Sequence, residues 1–90
     1  MPPKKDLTQL EAAWNTFERP KDGQHFKHYK GGDYMIVATG FLEETETPCV
    51  IYRSTANGTV WVRTAQNFLE LVTHDGIEQP RFSVATDDTY

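Results

Sequence analysis

The stretch Cys49-Val50-Ile51-Tyr52-Arg53-Ser54-Thr55-Ala56-Asn57-Gly58-Thr59-Val60-Trp61-Val62-Arg63 sets two β-prone runs on either side of Asn57-Gly58. Both turn residues accept positive φ, which a two-residue type I′ turn requires, so the pattern predicts a β-hairpin of definite register. Pairing outward from the turn opposes Ala56 to Thr59, Thr55 to Val60, Ser54 to Trp61, Arg53 to Val62 and Tyr52 to Arg63. Opposed residues share a face. One face then carries Ile51, Arg53, Thr55, Val60 and Val62 and is expected to meet the core, with Arg53 at its margin. The other carries Tyr52, Ser54, Trp61 and Arg63 and is expected to be an aromatic-basic surface.

Upstream of the hairpin, residues 1–5 read as a disordered leader and residues 6–19 as an amphipathic helix. Leu7, Leu10, Trp14 and Phe17 recur at helical spacing on one stripe. Thr8-Gln9-Leu10-Glu11 fits a capping box, Asp6 is an alternative N-cap, and Pro20 and Gly23 end the segment. A helix this short needs docking to be stable, so Leu10, Trp14 and Phe17 are expected either to cover the domain or to bind a partner. A homodimer through the helix is one form of the second case. Beyond it come a short extended piece at His25–Lys30, a Gly31-Gly32 turn, a strand at Asp33–Phe41 and an acidic loop at Leu42–Pro48. After the hairpin, Ala65–Leu71 reads as one helical turn with Phe68 and Leu71 inward. Asp75-Gly76 is a second turn signal, and Pro80–Val84 a last short strand. Residues 86–90 read as a frayed tail.

This order predicts a mainly β domain over residues 24–85, a small, strongly bent, SH3-like antiparallel barrel of about five strands behind the N-terminal helix. The alternative is an open antiparallel sheet packed on that helix. Ninety residues with 38% hydrophobic and 12% aromatic content support one modest core. A single cysteine, Cys49, rules out an internal disulfide and fits a reducing cytoplasm. No apolar run is long enough for a membrane helix and no signal-peptide pattern is present, so a soluble cytoplasmic protein without a membrane partner is expected. The net charge of −4 weighs against non-specific binding of long nucleic acid, although Arg19, Lys21, Lys27 and Lys30 make a local basic patch.

His28-Tyr29-Lys30-Gly31-Gly32, Tyr34, Val50-Ile51-Tyr52-Arg53, Val60-Trp61-Val62-Arg63, Phe68 and Pro80-Arg81-Phe82 succeed one another over residues 26–84. In these motifs and their order the chain resembles the bacterial domain-of-unknown-function 1653 family. The resemblance implies a small standalone or accessory bacterial domain and supports the strand assignments. It supplies no catalytic residue.

Several residues invite chemistry. His25, His28 and His74 lack the spacing or companions of a metal site, so no metal or cofactor is expected. Cys49 lies in a β-run, where a free thiol is ordinarily a buried small hydrophobe. Glu43, Glu44 and Glu46 read as a solvated loop rather than acid–base carboxylates. Gly31-Gly32 reads first as a positive-φ turn and second as a backbone anion contact completed by Lys30. Arg53 is expected at the rim or paired with a carboxylate such as Glu70, and Arg81 has no assignable partner. The strongest constellation is Tyr52, Trp61 and Arg63, with Tyr34 and Lys30 beside them: rings to stack and cations to hold an anion. The expected function is a non-enzymatic module that binds a nucleotide, a short single-stranded nucleic acid or another small anionic ligand. The alternative is a protein-interaction adaptor acting through an aromatic groove or the helix stripe. An enzyme ranks third, since no catalytic set is complete.

Overall fold

Seven strands and two short helices make up residues 5–85, the part of the chain described by the computed structural model. Most of the expected leader and all of the expected tail at 86–90 lie outside the described residues. Strands β1 (His25–His28), β2 (Asp33–Leu42), β3 (Thr47–Ser54) and β4 (Val60–Thr64) form an antiparallel meander. The chain then makes helix α2 (Ala65–Leu69) and a separate hairpin of β5 (Leu71–His74) and β6 (Ile77–Pro80). Strand β7 (Phe82–Val84) returns to pair with the free side of β1, giving the order β4-β3-β2-β1-β7. The mainly β, five-stranded antiparallel sheet is therefore present. Its edges, β4 and β7, are not hydrogen-bonded to each other among the described residues. The barrel is open, and its concave face is filled by side chains from outside the sheet.

The central hairpin departs from the predicted register. Ser54 donates to the Thr59 carbonyl at 2.9 Å and Gly58 to the Ser54 carbonyl at 2.8 Å, so four residues, not two, make the loop. Tyr52 faces Trp61, Val50 faces Arg63 and Arg53 faces Val60. Two side chains explain the longer turn: Asn57 Oδ1 accepts from Thr59 N–H at 2.9 Å, and Ser54 Oγ accepts from Ala56 N–H at 3.3 Å. These local bonds satisfy the turn without positive φ at Asn57, leaving only Gly58 there at φ +76°. The two-residue turn with both positions at positive φ is Asp75-Gly76, between β5 and β6.

A shift of two residues preserves which residues share a face, but the roles of the faces are inverted. Tyr52, Val50 and Ser54 are buried, whereas Val60 and Val62 are 47% and 60% exposed. The predicted core face is thus the outer face, and the aromatic-basic face turns inward. Its tyrosine can be buried because Arg63 meets its hydroxyl, as described below. A bulge in β2 between Ile36 and Ala38 switches the inward parity, from Tyr34 and Ile36 before it to Phe41 after it.

The core gathers Trp14, Phe26, Ile36, Val50, Tyr52, Ala65, Phe68 and Phe82. Phe68 stacks on Phe82 with centroids 4.1 Å apart and meets Phe26 and Tyr52 edge-on at 5.2 Å. Leu71, expected to point inward, is 56% exposed because β5 leaves the core for its own hairpin.

The N-terminal helix is shorter than predicted. Helix α1 spans Leu7–Ala12, with Asp6 and Gln9 forming the capping box. Successive i→i+3 bonds from Trp14, Asn15 and Phe17 then tighten the chain. That tighter winding brings residues 14 and 17 onto one side, where Trp14 and Phe17 meet edge-on at 6.0 Å. Trp14 is buried in the core and Phe17 packs against it, while Leu10 is half-buried. Arg19 fastens the segment: it donates to Glu11 and to Thr39 Oγ1, both at 2.8 Å, and lies over the Trp14 ring. Trp14 and Phe17 thus cover the domain, whereas Leu7, at the start of the stripe, is exposed. No helix among the described residues is long and apolar enough to cross a membrane.

Candidate functional site

Each strand of the main sheet sends at least one side chain to the same open cavity. Phe82 comes from β7, His28 from β1, Tyr34 from β2, Tyr52 from β3, and both Trp61 and Arg63 from β4. The cavity measures about 290 Å³. Its floor is an edge-to-face cluster in which Tyr34, Tyr52 and Phe82 lie 5.4 to 5.6 Å from one another. Trp61 is half-exposed and forms a wall. Four of the five residues expected to bind a ligand, Tyr34, Tyr52, Trp61 and Arg63, are therefore brought together.

The fifth, Lys30, is not part of the lining. It is exposed on the β1–β2 turn, with Nζ 5.7 Å from the centre of the Tyr29 ring. Two of the amides of Lys30-Gly31-Gly32 are already engaged within the turn. Lys30 N–H donates to His28 Nδ1 at 3.1 Å, and Gly31 N–H to the His28 carbonyl at 2.8 Å. Gly31 and Gly32 both hold positive φ, and Gly32 also lies against Tyr34: a Cβ there would come within 3.2 Å of the ring. Gly32→Ala should displace Tyr34 and destabilise the domain by about 1–2 kcal/mol for the backbone conformation alone. Urea denaturation would measure this.

Arg63 is fixed by its neighbours. Its Nε donates to Tyr52 Oη at 2.8 Å, its Nη1 to Asn67 Oδ1, and its guanidinium lies over the Phe82 ring. Asn67 stands on α2, with its own N–H capped by Thr64. Glu70 pairs with Arg81, which also donates from Nε to the Asn67 carbonyl at 3.0 Å. Arg53 is exposed on the outer face, so the carboxylate suggested for it belongs to Arg81 instead.

His28 and Phe82 were not expected in the site. His28 stands 4.9 Å from Phe82, and the turn amide on Nδ1 leaves the neutral imidazole's proton on Nε2. Burial, then the positive charges of Arg63, Arg81 and Lys30, push its pKa below the ordinary 6.5. The unfolded chain therefore protonates first as pH falls. His28's contribution to stability should be intact above pH 6.5 and lost as pH falls through the lowered folded value. Thermal melts across this range should show the loss, and His28→Gln should remove that part of the slope.

The profile of the DUF1653 family, described as proteins of unknown function, matches residues 24–84. The chain belongs to the DUF1653 family. A crystal structure of another DUF1653 protein, from Bordetella bronchiseptica, superposes with a TM-score of 0.66 at 23% identity. The match covers 78% of this chain and 94% of that one, and shows a shared fold. Comparison with curated proteins gives no match. All six cavity residues fall within the DUF1653 region, whereas α1 and Trp14 lie before it.

Proposed function

We propose that this domain is a non-enzymatic binding module for a small planar anion, a ring bearing phosphate or carboxylate, of which a nucleotide is the leading case. The reading rests on one observation: aromatic rings from all five strands surround a cavity that contains Arg63 and is lined by no carboxylate among the described residues. The rings offer stacking surfaces, and the guanidinium offers an anion contact oriented by Tyr52 and Asn67. A volume of about 290 Å³ suits one or two rings better than an extended strand of nucleic acid. Stacking worth about 1–3 kcal/mol per base and a charged hydrogen bond worth about 1.5–3 kcal/mol imply modest affinity. The reading sets the domain in the reducing cytoplasm, in keeping with its single buried free thiol at Cys49.

The adaptor reading retains the aromatic groove but not the helix stripe, since Trp14 is only 3% exposed. Titration with nucleoside monophosphates, followed by the indole N–H resonance of Trp61, separates the two readings. A saturable shift at Trp61 and His28 supports the small-ligand reading. Resonances unmoved by every member of the series would remove it.

A further inference from the structure

Strand β4 has one partner, β3, and its other side is a free edge among the described residues. The hydrogen bond from Ser54 N–H to the Thr59 carbonyl sets the alternation along the hairpin. Trp61 and Arg63 therefore aim their backbone groups at β3, while Val60, Val62 and Thr64 aim theirs outward. Natural sheets blunt such edges with lysine, proline, bulges or short length. Residues 60–62 are Val-Trp-Val, exposed and paired with β3 in unbroken register, with no charge, proline or bulge; the one charge on β4, Arg63, is turned inward and held by Tyr52 and Asn67. The opposite edge, β7, is three residues long.

We propose that β4 is a self-association surface on which a second copy of this chain adds its own β4 antiparallel, about a two-fold axis through Val62. That register suits both the backbone and the side chains. Val62 meets Val62 of the second copy, and Val60 meets Thr64, all presenting outward N–H and C=O groups to one another. Trp61 then stands across from Arg63 of the second copy, in the pair type where side chains approach most closely. The ring there meets the aliphatic stem of that arginine, whose guanidinium stays turned inward on its own Tyr52 and Asn67. Val60 and Val62 of both copies then adjoin on the outer face. Trp61 and Arg63 both line the candidate cavity, so the two cavities would share one face of a ten-stranded sheet. Self-complementarity is what favours a second copy over an arbitrary extended peptide. The proposal does not depend on the ligand reading.

The test is sedimentation equilibrium of the full chain across low-micromolar to millimolar concentration. The mass should rise from 10.3 kDa toward twice that value. Val62→Lys, which sets two ammonium groups against each other at the axis, should hold it at the monomer value. Leu10→Glu, on the helix, should leave the association intact. Amide hydrogen exchange gives a readout independent of any variant: the Val60 and Val62 amides should slow with concentration while that of Trp61 does not. A wild-type chain that stays monomeric would overturn the proposal. So would association that survives Val62→Lys, or one abolished by Leu10→Glu.

Discussion

Phe68→Ala is expected to destabilise the domain by about 3–5 kcal/mol, a large part of the ~5–15 kcal/mol that holds a small domain together. Phe68 is fully buried and is the one aromatic side chain that α2 inserts into the concave face of the sheet. It stacks on Phe82 and meets Phe26 and Tyr52, so its removal empties the point where β1, β3 and β7 share a neighbour. The cavity's floor residues Tyr52 and Phe82 would lose their support together. Urea denaturation should show the midpoint collapse toward the unfolded baseline. Leu71→Ala is the control: both residues were expected to point inward, yet Leu71 is exposed and should cost no more than about 0.5 kcal/mol.

Arg63→Ala is expected to weaken binding of a planar anion by about 10–100-fold, the equivalent of losing one charged hydrogen-bonded contact. The same change removes the donor to Tyr52 Oη and the partner of Asn67 Oδ1, so a stability loss of about 1 kcal/mol should accompany it. Arg63→Lys separates charge from geometry. An ammonium keeps the charge but cannot reach Tyr52, Asn67 and a ligand as a planar fork, so its affinity should remain well below wild type. Trp61→Ala should lower affinity by about 5–100-fold for one lost stack, with little effect on folding because the ring is half-exposed. Calorimetric titration beside thermal melts would resolve both quantities for all three variants.

Much of the sheet was legible because strand residues, turn glycines and helix signals are local. The face partition of the hairpin survived a two-residue error in register, since side chains on a strand alternate with period two. Which face turned inward was not legible. Val60 and Val62 look like core residues by hydrophobicity, but burial is decided by where α2 returns, and α2 brings Phe68 and Asn67 to the side of Tyr52 and Arg63. His28 and Phe82 were missed for the same reason. Their meeting depends on β7 crossing to β1 after a hairpin that the sequence showed only as the Asp75-Gly76 turn. The Glu70–Arg81 pair, eleven residues apart across that hairpin, was out of reach of any local pattern. Tyr34, Tyr52, Trp61 and Arg63 could be grouped early because they follow the alternation of consecutive strands.

The most direct test of the central claim is tryptophan fluorescence of Trp14→Phe titrated with nucleoside monophosphates, an aromatic carboxylate and inorganic phosphate. Trp14 is buried with no hydrogen-bond partner for Nε1 among the described residues, so phenylalanine there leaves no group newly unpaired and Trp61 alone reports. The account predicts a saturable change with the ring-bearing anions, a much weaker response to phosphate, and loss of the response in Arg63→Ala. A signal that stays flat across the panel, or one that persists undiminished without Arg63, would contradict it.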